Sequence, residues 1–312
     1  MLDGRLDDAA WRDAIPFGEF FQSERHVGQP ASERTEVRVL YDADNIYFGI
    51  HNFDSAPDRV VARNMIREGP LQSDDSIALL LDPLHDHRSA YLFGTNPNGM
   101  RTDANLLGSR QSDLNRDWDG VWNVVARRDE TGWTAEFEIP LTTLRFRDLE
   151  EQTWGLAIER RVARKNERSY WPFIPNNSTF YRPPQAGHLV GLRNIRPGAD
   201  IRIKPYVALG GGRDLVAVLD DRVRETGVDV RYWPTPTLTA ELTVNTDFAQ
   251  TEVDDVQINL TRFPLYYPEK RQFFLEGGRI FDAAGSGEAR IFYSRRIGRP
   301  PQGAATSSRC RA

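Results

Sequence analysis

Apolar residues recur at every second position over most of this chain. A period of two is that of a β-strand, whose successive side chains leave by opposite faces, so the chain is predicted to be all-β. Thr35, Val37, Val39 and Tyr41 share one side, and Glu36 and Arg38 take the other. Ile46, Phe48 and Ile50 repeat the pattern after a polar turn at Asp42-Ala43-Asp44-Asn45. Trp133, Ala135, Phe137 and Ile139 alternate with Thr134, Glu136 and Glu138. Ile77 to Leu81 is apolar throughout and ends at Asp82-Pro83, the pattern of a strand buried on both faces. Further strands are predicted at Ala90–Phe93, Gly120–Arg127, Trp154–Val162 and His188–Leu192, with short helices near Asp7–Trp11 and Leu141–Leu144. Short strands joined by polar turns at this spacing predict an antiparallel β-sandwich, assigned to residues 1–194.

Past Asn194-Ile195-Arg196-Pro197-Gly198 the alternation continues in a different style. Ile201, Ile203, Val207 and Leu209 alternate with Arg202, Lys204 and Tyr206. Val228, Val230 and Tyr232 alternate with Asp229 and Arg231. Leu238, Ala240, Leu242 and Val244 alternate with Thr237, Thr239, Glu241 and Thr243. The last two strands are predicted to join at Pro234-Thr235-Pro236, and Gly210-Gly211-Gly212 is predicted to be a loop. A meander with one apolar and one polar face suits a one-sided soluble sheet, and it also suits a membrane barrel with lipid outside and a wet lumen. Period alone favours the soluble sheet, the commoner of the two. Arg299 to Ala312 has no period and is predicted to be disordered.

Bulk properties exclude several classes. A formal net charge of −5 argues against a general nucleic-acid partner, which needs a basic face. The single cysteine, Cys310, rules out an intramolecular disulfide and a cysteine-ligated zinc. No apolar run of helix-spanning length is present. Met1-Leu2-Asp3-Gly4 has neither the basic nor the apolar region of a signal peptide. There is also no Gly-x-Ser-x-Gly elbow, phosphate loop or dinucleotide fingerprint, and no catalytic residue is assigned.

Aromatic rings stack on the C–H face of a sugar while amides and charges bind its hydroxyls. On that basis Trp118, Trp122, Tyr170 and Trp171 are the candidate platform, with Asn96, Arg101 and Asp103 as polar contacts. The competing reading makes Trp122 and Trp133 core residues and Trp118 a loop anchor. Arg160, Arg161, Arg164, Lys165 and Arg168 form a basic cluster that could meet an acidic glycan or phosphate, or could be a solvated strand end. His85-Asp86-His87 is either a metal fragment or a polar turn. No metal site is assigned and no cofactor is expected, with Ca²⁺ the one ion that Asp74-Asp75 or Asp117/Asp119 could take through oxygen ligands.

Several segments together resemble a known family. Asp3-Gly4-Arg5-Leu6-Asp7-Asp8-Ala9-Ala10-Trp11, Arg34 to Asp42, Ser73-Asp74-Asp75, Asn96-Pro97-Asn98-Gly99, Asp117 to Trp122 and Gly132 to Glu136 resemble the family 9 carbohydrate-binding-like domain. Thr243 to Phe248, Pro268 to Gly277 and Phe292 to Gly298 resemble the opening of the DUF5916-type barrel to which that domain is fused. The resemblance implies an outer-membrane β-barrel begun by residues 195–298, and a truncated one, since a few strands cannot close a barrel. It also implies a fragment that lacks an export signal, with the whole protein at the outer membrane and cell envelope. The implied function is glycan binding with a role in polysaccharide catabolism, the partners being a glycan or polysaccharide and the membrane. The alternatives are a hydrolase of O-glycosyl bonds and a ligand-free structural domain of the barrel. Two aromatic rings clamp the sugar in the family, and Asn96 is the one polar position carried over.

Overall fold

The computed structural model describes residues 2–197 apart from Arg25 and Asp117, together with 201–214, 219–235 and 238–244. The resembling segments from residue 245 onward and the tail from 299 lie outside the described residues. The chain divides into two compact units, the larger holding a sandwich.

The sandwich begins with α1 (Ala9–Asp13), followed by β1 (Phe21–Gln22), β2 (Thr35–Tyr41), β3 (Asn45–Phe53), β4 (Ser76–Asp82), β5 (Ser89–Thr95), β6 (Arg101–Leu107) and β7 (Leu114–Asn115). It continues through β8 (Asn123–Asp129), β9 (Gly132–Pro140), β10 (Glu151–Val162), β11 (Glu167–Trp171) and β12 (Gly187–Arg193). One sheet has the order β2-β3-β9-β8. The other runs β1-β11-β10-β4-β5-β6-β7, with β12 also on β10. β11 and β12 share one edge of β10 end to end: Ile158 to Val162 pair with β11, and Glu151 to Leu156 pair with β12. Among the described residues, the strand pairs of the sandwich are antiparallel.

The alternation explains the core. Val37, Phe48, Ile50, Ala135 and Phe137 from the small sheet meet Ile77, Leu79, Phe93, Leu156 and Ile158 from the large one. The large sheet is buried on its other face too, where Ala78, Leu80, Leu92, Ala104, Leu106 and Ala157 are covered by Ile174 and Phe180. That second layer is why β4 is apolar at successive positions and buried along its whole length. The predicted strand at Gly120 starts three residues later, at Asn123, because Trp118 to Trp122 is a loop folded into the core. The expected helix at Leu141 is a single 3₁₀ turn, Leu141–Thr143.

The resembling motifs bond to one another in pairs. Buried Glu136 accepts the Asp3 and Gly4 amides at 3.0 Å each and the Trp11 indole N–H at 3.1 Å, fixing the N-terminal segment on the outer face of β9. Gly132 opens β9 at φ +145°, where a Cβ would meet the Asn52 carbonyl oxygen at 2.1 Å, so this position admits only glycine.

Where β2 starts and β3 ends, charge replaces hydrocarbon. Arg160, 2% exposed, points inward from β10 and donates to the carbonyls of Glu33, Arg34 and Phe53 and to Thr35 Oγ1. Burial pulls its guanidinium down to about 10, against the opposing pull of Asp54, Asp75 and Glu33. Arg164 bridges Glu33 and Asp54 at 2.6 and 2.5 Å, and Lys165 reaches Glu33 at 2.5 Å. Burial pushes the Glu33 carboxyl up, but hydrogen bonds from Lys165 and Ser55 outweigh it and hold the group at about 2, against its usual 4.5. Between those values the unfolded chain binds the proton and the folded one does not, so stability falls as pH falls. Glu33→Gln is therefore expected to lose less melting temperature than the parent between pH 4.5 and 2. Parallel slopes in a thermal-melt series would remove Glu33 from this role.

The three-stranded sheet has the order β13 (Ile201–Asp214), β14 (Leu219–Thr235), β15 (Leu238–Val244). Gly210 to Gly212 lie inside β13 and not in the expected loop, because the strand runs on through them. Ile201, Ile203 and Val207 on β13 and Leu242 and Val244 on β15 are exposed. Among the described residues no helix is long and apolar enough to cross a membrane.

Candidate functional site

The outer face of the large sheet carries a cleft of about 350 Å³, within the size range of small-ligand sites. Register builds its floor. Arg161 pairs with Ser76 on β4 and with Arg168 on β11, and Glu159 pairs with Ala78, so these side chains share one face. Leu92 and Thr102 extend the floor across β5 and β6. Glu68 to Gln72 form one wall, and Arg116 and Tyr181 contribute to the rest of the lining.

The wall is held at its base by the buried carboxylate of Asp74. Asp74 Oδ2 accepts the amides of Arg63 and Asn64 at 3.0 and 2.9 Å and the Asn96 side-chain amide at 2.9 Å. Glu68 follows on the same loop with φ +60°, a left-handed conformation uncommon outside glycine and concentrated at functional sites. Its Oε2 accepts from Thr102 Oγ1 at 3.0 Å, and burial and the Asp103 charge raise its pKa. Burial also raises Glu159, against Arg168, whose Nε lies 3.7 Å away. The Nε of Arg161 is buried without a hydrogen-bond partner. The cleft thus offers two carboxylate acceptors and three guanidinium donors beside the apolar surfaces of Leu71, Leu92 and Tyr181. That mixture suits the paired hydroxyls and C–H faces of a sugar.

The four expected platform rings do not form one surface. Trp118 and Trp122 are buried between the sheets, 7% and 1% exposed, and both pack edge-on against Phe93. Trp122 also stacks at 5.8 Å on Phe137. Tyr170 and Trp171 are neighbours on β11 and so leave by opposite faces. Tyr170 stacks on Phe180 under the outer layer, beside Glu159 in register. Trp171 is half-buried, lies 4.6 Å from Phe17 and lines a second groove with Glu19, Arg34 and Glu36.

The expected polar contacts serve the scaffold. Asn96 Nδ2 donates to Asn64 O and Asp74, and Oδ1 accepts the Asn98 and Met100 amides, which uses both protons and both lone pairs. Arg101 donates to Trp122 O at 2.6 Å, and Asp103 accepts the Gly120 amide at 2.7 Å, so the pair clamps the Trp118–Trp122 loop. The acidic pairs considered for Ca²⁺ are likewise occupied: Asp75 accepts the Val61 and Ala163 amides, and Asp119 pairs with Arg67. Asp117 lies outside the described residues.

The basic cluster splits by strand period. Arg161 and Arg168 face the cleft, Arg160 faces the core, and Arg164 and Lys165 join Glu33. Glu68, Arg116, Glu159 and Tyr181 were not expected from the sequence. The signal for Glu159 is its place two residues after Ala157 on β10, on the face opposite Ile158.

A family model described as "Carbohydrate family 9 binding domain-like" matches residues 2–171. A second, described as a domain of unknown function, DUF5916, matches residues 201–311. Among curated proteins no relative matches. Among solved structures, the chain is similar to a family 9 carbohydrate binding module from Caldicellulosiruptor kristjanssonii in complex with cellotriose. The identity is 13% and the TM-score 0.45, covering 64% of this chain and 91% of that one. The corresponding glucose complex gives 13%, 0.46, 64% and 93%.

Proposed function

The chain belongs to the carbohydrate family 9 binding domain-like family, and from that premise we propose that its sandwich captures a glycan in the cleft on the outer face of the large sheet. The observation that carries this reading is the cleft itself, where Glu68, Glu159, Arg161 and Arg168 converge over a partly apolar floor. Glu159 and Glu68 accept hydroxyl protons, the guanidinium groups donate to sugar oxygens, and the Tyr181 side supplies apolar contact. The protein holds its ligand and does not transform it.

The three-stranded sheet opens an outer-membrane barrel that anchors the sandwich at the cell envelope, with the sequence boundary near residue 194. This rests on the exposed apolar residues of β13 and β15 and on the DUF5916 match. In that setting, captured polysaccharide is retained close to the cell for catabolism.

The test is a glycan array followed by titration calorimetry, with cellotriose as the first probe. Glu159→Gln and Arg161→Ala are each expected to weaken binding at least tenfold, about 1.4 kcal/mol, with the melting temperature kept. Loss with Trp171→Ala alone would move the site to the Phe17–Trp171 groove. No glycan bound by a folded chain would leave a structural domain. Turnover of a chromogenic glycoside that stops in Glu159→Gln would make the protein a hydrolase, since two carboxyls with raised pKa values share the cleft.

A further inference from the structure

The fold brings a third imidazole to the His85-Asp86-His87 turn between β4 and β5. Gly155 is the shared row: it pairs with Asp82 on one side and with His188 on the other. A Cβ at Gly155 would lie 3.0 Å from the Asp82 Cβ, so glycine here permits the close approach. As a result His85 Nε2 lies 3.2 Å from His188 Nδ1, with ring centroids 5.2 Å apart, and the His87 ring is 4.6 Å from that of His85. Two imidazole nitrogens bound to one tetrahedral Zn²⁺ at roughly 2.0–2.1 Å stand about 3.3 Å apart, with ring centres about 5 Å apart. The His85–His188 pair already has that spacing.

The turn is held in place. Asp82 accepts the His87 amide at 2.9 Å, and Asp86 accepts the Arg88 and Ser89 amides at 2.8 Å each. His85 and His87 sit at φ +49° and +58°, a strained conformation that persists where surroundings impose it and that clusters at ligand clamps. His87 Nδ1 lies 3.9 Å from Asp82 Oδ2, a carboxylate placed to orient the ring and leave Nε2 for a ligand. Among the described residues no three His, Cys, Asp or Glu groups already surround one point suited to an ion. The His87 side chain is 47% exposed, so neighbouring side chains do not enclose its ring.

We propose that His85, His87 and His188 form a surface site for a borderline divalent transition metal of the Zn²⁺ class. It ties the start of β12 to the β4–β5 turn and is independent of the glycan cleft. The test uses the untagged full chain carrying Cys310→Ser, which removes the one thiol. Chelator-treated protein is titrated with ZnCl₂ by calorimetry, and its melting temperature is followed in parallel. One equivalent is expected to bind and to raise the melting temperature, since an ion that binds only the folded state stabilises it. His85→Ala, His87→Ala and His188→Ala are each expected to weaken binding at least tenfold and abolish the shift, while His26→Ala leaves both unchanged. No binding by the parent, or binding indifferent to His85→Ala and His188→Ala, would mean a hydrogen-bonded imidazole pair only. Full affinity in His87→Ala would overturn the three-histidine site.

Discussion

Arg160→Ala is expected to cost about 3–5 kcal/mol of folding stability, because it strips the cation from a buried charge cluster and leaves the acids behind. Glu33, Asp54 and Asp75 all pull on this guanidinium, and three backbone carbonyls from two strand ends depend on it as donor. Arg160→Lys separates charge from shape. A lysine keeps the cation but has a single donor point, which cannot span carbonyls that a planar fork reaches together. It is expected to recover less than half of the loss. Denaturant unfolding midpoints of the parent, Arg160→Ala and Arg160→Lys decide this. A lysine variant as stable as the parent would mean that charge alone matters.

Trp122→Ala is expected to cost a further 3–5 kcal/mol class of loss, as deletion of a large buried ring does. The ring is 1% exposed and wedged between Phe93 and Phe137. Its Nε1 has no hydrogen-bond partner, so Trp122→Phe gives up packing volume without orphaning a polar atom, and it is expected to cost less than half as much. Any glycan affinity lost in Trp122→Ala should therefore follow the unfolded fraction measured by circular dichroism. Affinity lost in a fully folded variant would return Trp122 to the binding surface.

These two side chains show what was legible in the sequence. β2, β3, β4, β9 and β10 could be read because apolar residues recur at alternate positions through each of them, although Arg160 breaks the pattern near the end of β10. β6 and β11 were not, since Arg101, Asp103, Arg168 and Ser169 interrupt their patterns with residues that serve the cleft wall, the loop clamp and the buried layer. A ring suited to a sugar is equally suited to a core, and only packing distinguishes them, so Trp122 was drawn into the expected platform. The cleft stayed hidden because its parts come from Glu68, Arg116, Glu159 and Tyr181, far apart in the chain and brought together only by the fold. Arg160 and Arg161 read as one basic patch, whereas the pleat sends them into opposite layers.

The central place of β4 has a consequence during synthesis. Its partner on one side, β5, follows at once, but Leu79 waits for Ile158, roughly 80 residues later. At about 5–20 residues per second, that interval lasts on the order of 4–16 s on the ribosome. Throughout it, a strand with apolar side chains on both faces has one open edge, the condition under which nascent chains associate with one another. Demand for a holding chaperone in this protein therefore follows from strand order, and it ends when β10 emerges.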